Sequence, residues 1–201
     1  MIEIRKLAQN VGYASNSYLV SSEGEGIVID PSSPYDSEAV QGIDIKYILL
    51  THGHFDHFLE IDAWVKNTNA KVVIAEKDKD ALKDSHKNCY SLFLFKDFGY
   101  YGDFETVTED DELTFGEEKI AIHEFPGHTP GSVAYIIGKC AFVGDVAFAG
   151  GGYGRFDLPG GNVQDLVASL KKVVALDDDI ILYPGHGEET TVREYKNYLS
   201  M

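Results

Sequence analysis

The sequence predicts a mixed α/β domain in which sheets are covered by helices. Short apolar or alternating stretches of strand length recur along the 201-residue chain. Stretches with helical spacing lie between them, and the clearest of these has its own cap. Strands are expected at 2–7, 17–21, 26–30, 46–50 and 71–75, where aliphatic residues alternate or run together between turn residues. Helices are expected at 57–67 and 76–84. Trp64, beside Leu59, Ile61 and Ala63 in the first of them, reads as core. Segment 86–105 fits neither period and is rich in aromatics (Tyr90, Phe93, Phe95, Phe98, Tyr100, Tyr101, Phe104). It reads as a long, ordered loop that either lines an apolar acyl pocket or packs a subunit interface. Further strands are expected at 112–115, 119–125, 132–137, 140–144 and 179–183, with a hairpin turn at Gly116-Glu117. Helices at 162–175 and 190–199 complete the pattern. In the former, Val163, Leu166, Val167, Leu170, Val173 and Val174 keep helical spacing behind Asn162 as the cap.

Composition narrows the class. Apolar residues make up 44% and charged residues 25%, which is ordinary for a globular chain. A chain of this length buries about 70% of its unfolded surface, enough for a core without staples. No repeat or low-complexity linker divides it, so a single domain over 1–201 is expected. Cys89 and Cys140 alone exclude a disulfide scaffold, read as small buried or half-buried residues, and suit a reducing compartment. No apolar run approaches the ~18 residues of a membrane span. Charge occupies Glu3, Arg5 and Lys6, where a signal peptide carries its apolar core, so a cytoplasmic protein is expected. Seventeen Lys and Arg face 33 Asp and Glu, a net charge of −16 that disfavours nucleic acid and anionic membranes. A small-molecule substrate is the expected partner; the sequence leaves the oligomeric state open. The acids of 103–118 read as a solvated loop and hairpin face.

The chemistry concentrates in loops after strands. His52, His54, Asp56 and His57 fall within Thr51-His52-Gly53-His54-Phe55-Asp56-His57, directly behind the apolar run Tyr47-Ile48-Leu49-Leu50. Imidazole and carboxylate are donors for Zn²⁺, Fe²⁺ or Mn²⁺. His52 and His54, two apart on an extended turn, can face one metal, and Asp56 and His57 around the following bend can face a second. His128 in Pro126-Gly127-His128-Thr129-Pro130-Gly131, Asp145 in Gly144-Asp145 and His186 in Pro184-Gly185-His186-Gly187 lie in similar Gly- or Pro-marked loops. His86 and His123 match no such pattern and read as solvated. Four candidate ligands at this spacing have no economical core explanation, so a binuclear metal site is expected, with zinc first and iron or manganese as alternatives.

On these residues, together with Ile27-Val28-Ile29-Asp30-Pro31 and Gly185-His186-Gly187-Glu188-Glu189-Thr190, the chain resembles the metallo-β-lactamase-fold hydrolase superfamily. Within it, the chain is similar to the glyoxalase II-like (hydroxyacylglutathione hydrolase-like) proteins, in order and over nearly its whole length. The resemblance implies an αββα sandwich of two mixed β-sheets flanked by helices, with metals at one edge between the sheets. It implies that His52, His54 and His128 hold one metal, that Asp56, His57 and His186 hold the other, and that Asp145 bridges them. Asp145 in place of Cys looks like the hydrolase branch and unlike the antibiotic-degrading one. The implied reaction is hydrolysis of a thioester or related ester by a hydroxide bridging two divalent metals. Such a water has its pKa lowered from 15.7 to about 7, and the metals also polarise the carbonyl. Asp145 would neutralise and space the two cations, and Asp56 would orient the hydroxide as well as ligate. Asp30 and the Thr51 hydroxyl are candidate partners for ligand imidazoles; for Asp30, a turn role before Pro31 is the alternative.

Substrate contacts are less defined. The segment Gly150-Gly151-Gly152-Tyr153-Gly154-Arg155-Phe156-Asp157-Leu158-Pro159-Gly160-Gly161 lacks the dinucleotide-binding spacing and resembles the G-R-T-D-x-P-G-G stretch of small glyoxalase II-like proteins, with Phe156 for Thr. Arg155 is a candidate substrate-binding cation, or the partner of Asp157. Two departures argue that glutathione is not necessarily the thiol. Only 15 residues follow His186, too few for the helical C-terminal domain of larger members, and Asp157 stands where they carry a tyrosine. The leading rival on the same fold is a persulfide dioxygenase with one iron on the positions of His52, His128 and Asp145. Diiron flavoproteins differ at His54, transfer-RNA-processing relatives need basic surface, and a metal-stabilised binding module would leave no room for water.

Overall fold

Side-chain alternation in the strands builds the layers. A computed structural model describes residues 2–199. Strands β1 (Glu3–Lys6), β2 (Tyr18–Ser22), β3 (Glu25–Ile29), β4 (Asp44–Leu49), β5 (Lys71–Ala75) and β6 (Glu105–Val107) form one sheet in that order. It is antiparallel from β1 to β3 and parallel from β3 to β6. Strands β7 (Glu112–Phe115), β8 (Glu118–Glu124), β9 (Val133–Ile137), β10 (Cys140–Gly144), β11 (Ile181–Pro184) and β12 (Thr190–Thr191) form the other, with β10–β11 as its parallel pair.

Successive strand residues point to opposite faces. Val20, Ile27, Ile29, Leu49 and Val73 of the first sheet therefore meet Ile120, Ile122, Val133, Tyr135 and Phe142 of the second in one buried layer. Leu19, Val28, Ile48, Leu50, Val72 and Ile74 turn outward beneath helix α1 (Ile61–Thr68), where Ile61 and Trp64 cover them. On the far side Ala134, Ala141, Val143 and Leu182 are covered by Val173 of α3 (Val163–Val173) and by Val192 and Tyr195 of α4 (Val192–Leu199). The central strands are apolar on both faces because both are covered. This is the αββα sandwich of two mixed sheets that the sequence led us to expect, and Asn162 caps α3 by accepting from the amides of Gln164 and Asp165. No described helix is long and apolar enough to cross a membrane.

Four expectations need correction. Residues 76–84 are not an α-helix: 3-10 turns run over Glu76–Leu82. Here the Asp78 side chain is turned inward to neighbouring loops, an interaction stronger than local helix preference. The first helix begins at Ile61 instead of 57, because Phe55–His57 wind into a 3-10 turn that presents ligands. Segment 86–105 holds a short helix, α2 (Tyr90–Leu94), entered and left through left-handed Cys89 (φ 69°) and Phe95 (φ 56°), and the start of edge strand β6. Residues 190–199 open with the short strand β12 before α4.

Trp64 is fully buried, donates its indole N–H to the Ser33 carbonyl at 2.8 Å and meets Tyr35 edge-on at 5.2 Å. Trp64→Ala is expected to cost about 3–5 kcal/mol. Urea unfolding of the metal-free protein measures this, and a loss below ~1 kcal/mol would contradict the packing described.

Candidate metal centre

The ligand loops all leave the same edge of the sandwich. They follow the C-terminal ends of β3, β4, β8, β10 and β11, where an α/β sheet presents its loops for function. Two glycines let them crowd together. Gly144 (φ 52°) sits where a Cβ would strike the Thr51 hydroxyl, and a Cβ on Gly185 would strike both Asp145 and the His57 ring. The third loop is tied down by Asn16, whose side-chain amide donates to the carbonyls of Pro184 (2.9 Å) and Gly187 (2.9 Å), and by the Tyr18 hydroxyl on Pro184 O (2.8 Å).

Hydrogen bonds fix which nitrogen faces inward in His52, His57 and His128. His128 Nδ1 lies 2.6 Å from the Arg155 carbonyl, which can only accept, so Nδ1 carries the proton and Nε2 is free. His57 Nδ1 donates likewise to Asp30 Oδ2 at 2.8 Å. The Thr51 hydroxyl donates to the same oxygen at 2.7 Å and so is left to accept from His52 Nδ1 at 3.2 Å. Asp30, in a left-handed turn (φ 51°) and also accepting the Thr51 amide at 2.8 Å, thus serves both of its sequence readings: it shapes the turn and orients His57.

The freed nitrogens converge. His52 Nε2, His54 Nδ1 and His128 Nε2 lie 2.9–3.2 Å from one another. With both Nδ1 protons committed, the 3.2 Å contact between His52 Nε2 and His128 Nε2 sets lone pair against lone pair, which only a cation relieves. Donors about 2.0–2.1 Å from one metal lie roughly 2.9–3.4 Å apart, the separation seen here. Next to this set, His186 Nε2 is 3.2 Å from Asp56 Oδ2 and 3.7 Å from Asp145 Oδ2, and His57 Nε2 is 3.3 Å from Asp145 Oδ1. Asp145 Oδ2 is also 3.6 Å from His128 Nε2, so this carboxylate touches both groups. His57 Nε2 and Asp145 Oδ1 are buried without hydrogen-bond partners, as metal donors would be. His54 Nε2, on the far side of its ring, is likewise unpartnered. The residues present fit two divalent ions.

Charge supports the same reading. Burial, reinforced by the other imidazoles, pushes His52 well down and His54 down to about 3, which keeps both in the neutral, ligating form. Burial alone would lower His57, but the carboxylates of Asp30 and Asp145 outweigh it and raise it well above the ordinary value. Asp145 and Asp56 are held below the usual carboxylate range despite burial, Asp145 chiefly by His57 and Asp56 by His186 and His57. The carboxylates stay ionised, and the negative field that raises His57 is the one that would hold a cation in place of its proton.

A cleft of about 550 Å³ opens on the centre, within the range of small-molecule sites. His54, Asp56, His128, Asp145 and His186 form its metal end. Phe93 and Leu94 line it, whereas Phe98 and Tyr100 from the same aromatic segment pack into the core and Phe95 and Tyr101 stand in solvent. Arg155 also lines it, with its guanidinium paired bidentately to Asp157 at 2.8 and 2.9 Å. His86 is exposed, and His123 is partly exposed near Glu109.

Sequence reading missed Asp78. Buried at 4% exposure, it accepts from the Gly53 amide (2.9 Å), the Gly131 amide (2.7 Å) and the Thr129 hydroxyl (2.6 Å), joining the loops that carry His52, His54 and His128. Within Glu76-Lys77-Asp78-Lys79-Asp80 it looks like any solvated acid. It missed Asn16 and the cleft residues Tyr13, Cys89, Phe148 and Tyr153 as well.

The family model described as the metallo-beta-lactamase superfamily matches residues 11–186. The chain is 32% identical to "Probable metallo-hydrolase YqgX" of Bacillus subtilis, over 89% of this chain and 87% of that one. It is 31% identical to "Hydroxyacylglutathione hydrolase GloC" of Haemophilus influenzae, over 90% and 88%. Among solved structures, the BLEG-1 B3 metallo-beta-lactamase superposes with TM-score 0.86 and 30% identity, covering 98% of this chain and 97% of that one. TTHA1623 in a di-iron-bound form gives 0.82 and 28%, over 96% and 97%, and ETHE1 from Myxococcus xanthus gives 0.76 and 26%, over 98% and 82%. These neighbours include one named as a B3 metallo-beta-lactamase.

Asp30→Ala is expected to lower metal affinity about 10–100-fold, since His57 loses its orienting partner; competition against a chromophoric chelator measures this. Asp78→Ala strands three buried donors and is expected to cost roughly 3 kcal/mol or more. Thermal unfolding of metal-free protein checks it, and an unchanged midpoint would refute the tie between the loops.

Proposed function

The chain belongs to the metallo-beta-lactamase superfamily, whose hydrolase-named members it resembles end to end, and from that premise we propose a binuclear metal-dependent hydrolase of small thioesters or related esters. The observation that supports this most directly is the pair of donor sets joined by one carboxylate, Asp145. A single-iron centre on His52, His128 and Asp145 would leave Asp56 and His186, 3.2 Å apart at the cleft, without a task.

Bound there, two divalent ions supply Lewis acidity and water activated near neutral pH, with pKa lowered to about 7. The remaining steps fall to the protein. Asp145, within reach of both donor sets, would help hold the ions and offset their charge. Asp56, the more exposed of the two carboxylates, accepts a proton-bearing contact from the attacking water and aims it at the carbonyl. The apolar cleft wall keeps bulk water from the acyl group. The leaving group also fits a thioester. A thiol ionises near about 8.5, so a thiolate departs with little help from a general acid. Cys89, the thiol in the cleft, is pushed by burial up to about 11 and stays neutral. Zinc is the metal we favour for this chemistry, with iron or manganese as alternatives, in a cytoplasmic protein that takes a small-molecule substrate.

Protein expressed in medium holding zinc, iron and manganese is expected to carry about two metals per chain, as a two-metal hydrolase requires. His186→Ala is expected to keep the cooperative unfolding transition and to lose one metal and at least about 100-fold in thioester turnover, the scale on which metal catalysis operates. One tightly held iron per chain with thiol-dependent oxygen uptake would overturn the proposal in favour of sulfur oxidation.

A further inference from the structure

The cleft beyond the metal donors is mostly apolar. Tyr13, Phe55, Phe93, Phe148, Tyr153 and Leu158 supply its walls. Tyr13, Phe93 and Tyr153 remain 47–48% exposed, so wide aromatic surface faces water at the mouth, the signature of a surface made to be covered by a ligand. Among the described residues lining the cleft, Arg155 is the one Lys or Arg side chain. Its charge is already matched: two guanidinium nitrogens bond both oxygens of Asp157, and the guanidinium carbon lies 6.0 Å over the Phe93 ring. A substrate carboxylate reaching the remaining N–H donors of Arg155 would meet a guanidinium whose charge Asp157 already offsets, and would sit near that second carboxylate.

Resting on the hydrolase reading above, we infer that the substrate's acyl part is an uncharged apolar group, alkyl or aromatic, laid along this wall, and that the Arg155–Asp157 pair discriminates against acyl groups bearing a carboxylate. The cleft holds a group of several carbons beyond the reacting carbonyl, and each methylene it takes from water strengthens transition-state binding. Phe93 is the central contact, because it carries apolar surface on one side and the guanidinium near its ring. The neutral Cys89 thiol adds no charge to this surface.

The test uses metal-loaded protein and thioesters of one neutral thiol, N-acetylcysteamine. The acyl series runs from acetyl through butyryl and hexanoyl to octanoyl, with benzoyl and succinyl beside it. The expected result is a kcat/KM that rises about fourfold per methylene until the cleft is filled, with succinyl well below butyryl. Phe93→Ala is expected to flatten the rise, and Asp157→Asn to narrow the succinyl-to-butyryl gap several-fold. A flat or falling series with turnover intact, or succinyl ahead of butyryl, overturns the acyl inference and leaves the hydrolase standing. No turnover of any thioester or ester overturns the hydrolase reading instead. In that case, calorimetric binding of S-alkyl thioether analogues of the same thiol decides the acyl inference: affinity rising with chain length supports it, and length-independent binding overturns it.

Discussion

Three imidazole nitrogens held within 3.2 Å of one another, those of His52 and His128 with lone pairs turned inward, form the constraint on which the rest of the molecule depends. Such an arrangement is unfavourable in a protein without a cation and must be imposed by structure around it. The imposition is visible in three places. Asp30 and the Thr51 hydroxyl commit the outward nitrogens of His57 and His52, and the Arg155 carbonyl commits that of His128. Asp78 ties the loop of His52 and His54 to the loop of His128. Asn16 and Tyr18, from the first sheet, hold the loop of His186 on the second. The layers beneath serve this end: the sheets register against each other through a continuous apolar layer, so loops from both meet at one edge.

Charge is sorted between inside and outside. The net −16 is spread over exposed acids, many of them paired with lysines at the surface, where such pairs are worth little. The buried acids are few and each has an assignment. Asp30 and Asp145 flank His57, Asp56 faces His186, and Asp78 takes donors from two loops. Burial raises Asp78 even against those donors, whereas Asp145, surrounded by imidazoles, is lowered despite its desolvation. The difference separates an acid that holds backbone from one that waits for metal.

How much of this was legible in the sequence depends on whether the signal was local. The clustering of the candidate donors was, because His52, His54, Asp56 and His57 crowd one turn, and His128, Asp145 and His186 each stand beside glycines needed for close approach. The sandwich was, because Ile27-Val28-Ile29 and Ile48-Leu49-Leu50 are apolar on both faces and so demand cover on both. Asp78 was not, since nothing in a run of alternating Lys and Asp marks which acid turns inward; only the facing amides of Gly53 and Gly131 decide that. Strand β6 was not, because it has three residues, two of them exposed, and gains its identity from pairing with β5. The aromatic segment was half legible: its composition marked it as ordered, but α2 turns some rings to the cleft while the residues after it send others to the core.

Arg155 shows why a constant metal core can carry varied substrates. Its backbone carbonyl orients His128, while its side chain reaches the cleft, pairs with Asp157 and lies near Phe93. A substitution at this position changes the charge of the cleft and leaves the carbonyl, and therefore the ligand's tautomer, in place. Phe93, Tyr153 and Phe148 behave in the same way: they touch the cleft without holding any ligand, and they belong to short helices and glycine-rich turns that bear little of the core. The candidate metal donors have less freedom, because the outward nitrogens of His52, His57 and His128 are each held by a partner. Proteins about 30% identical to this chain over nearly full length bear names as different as a hydroxyacylglutathione hydrolase and a B3 metallo-beta-lactamase. For this chain the discriminating information lies in the cleft wall, and that wall is aromatic, half-exposed and without a free cation among its described residues.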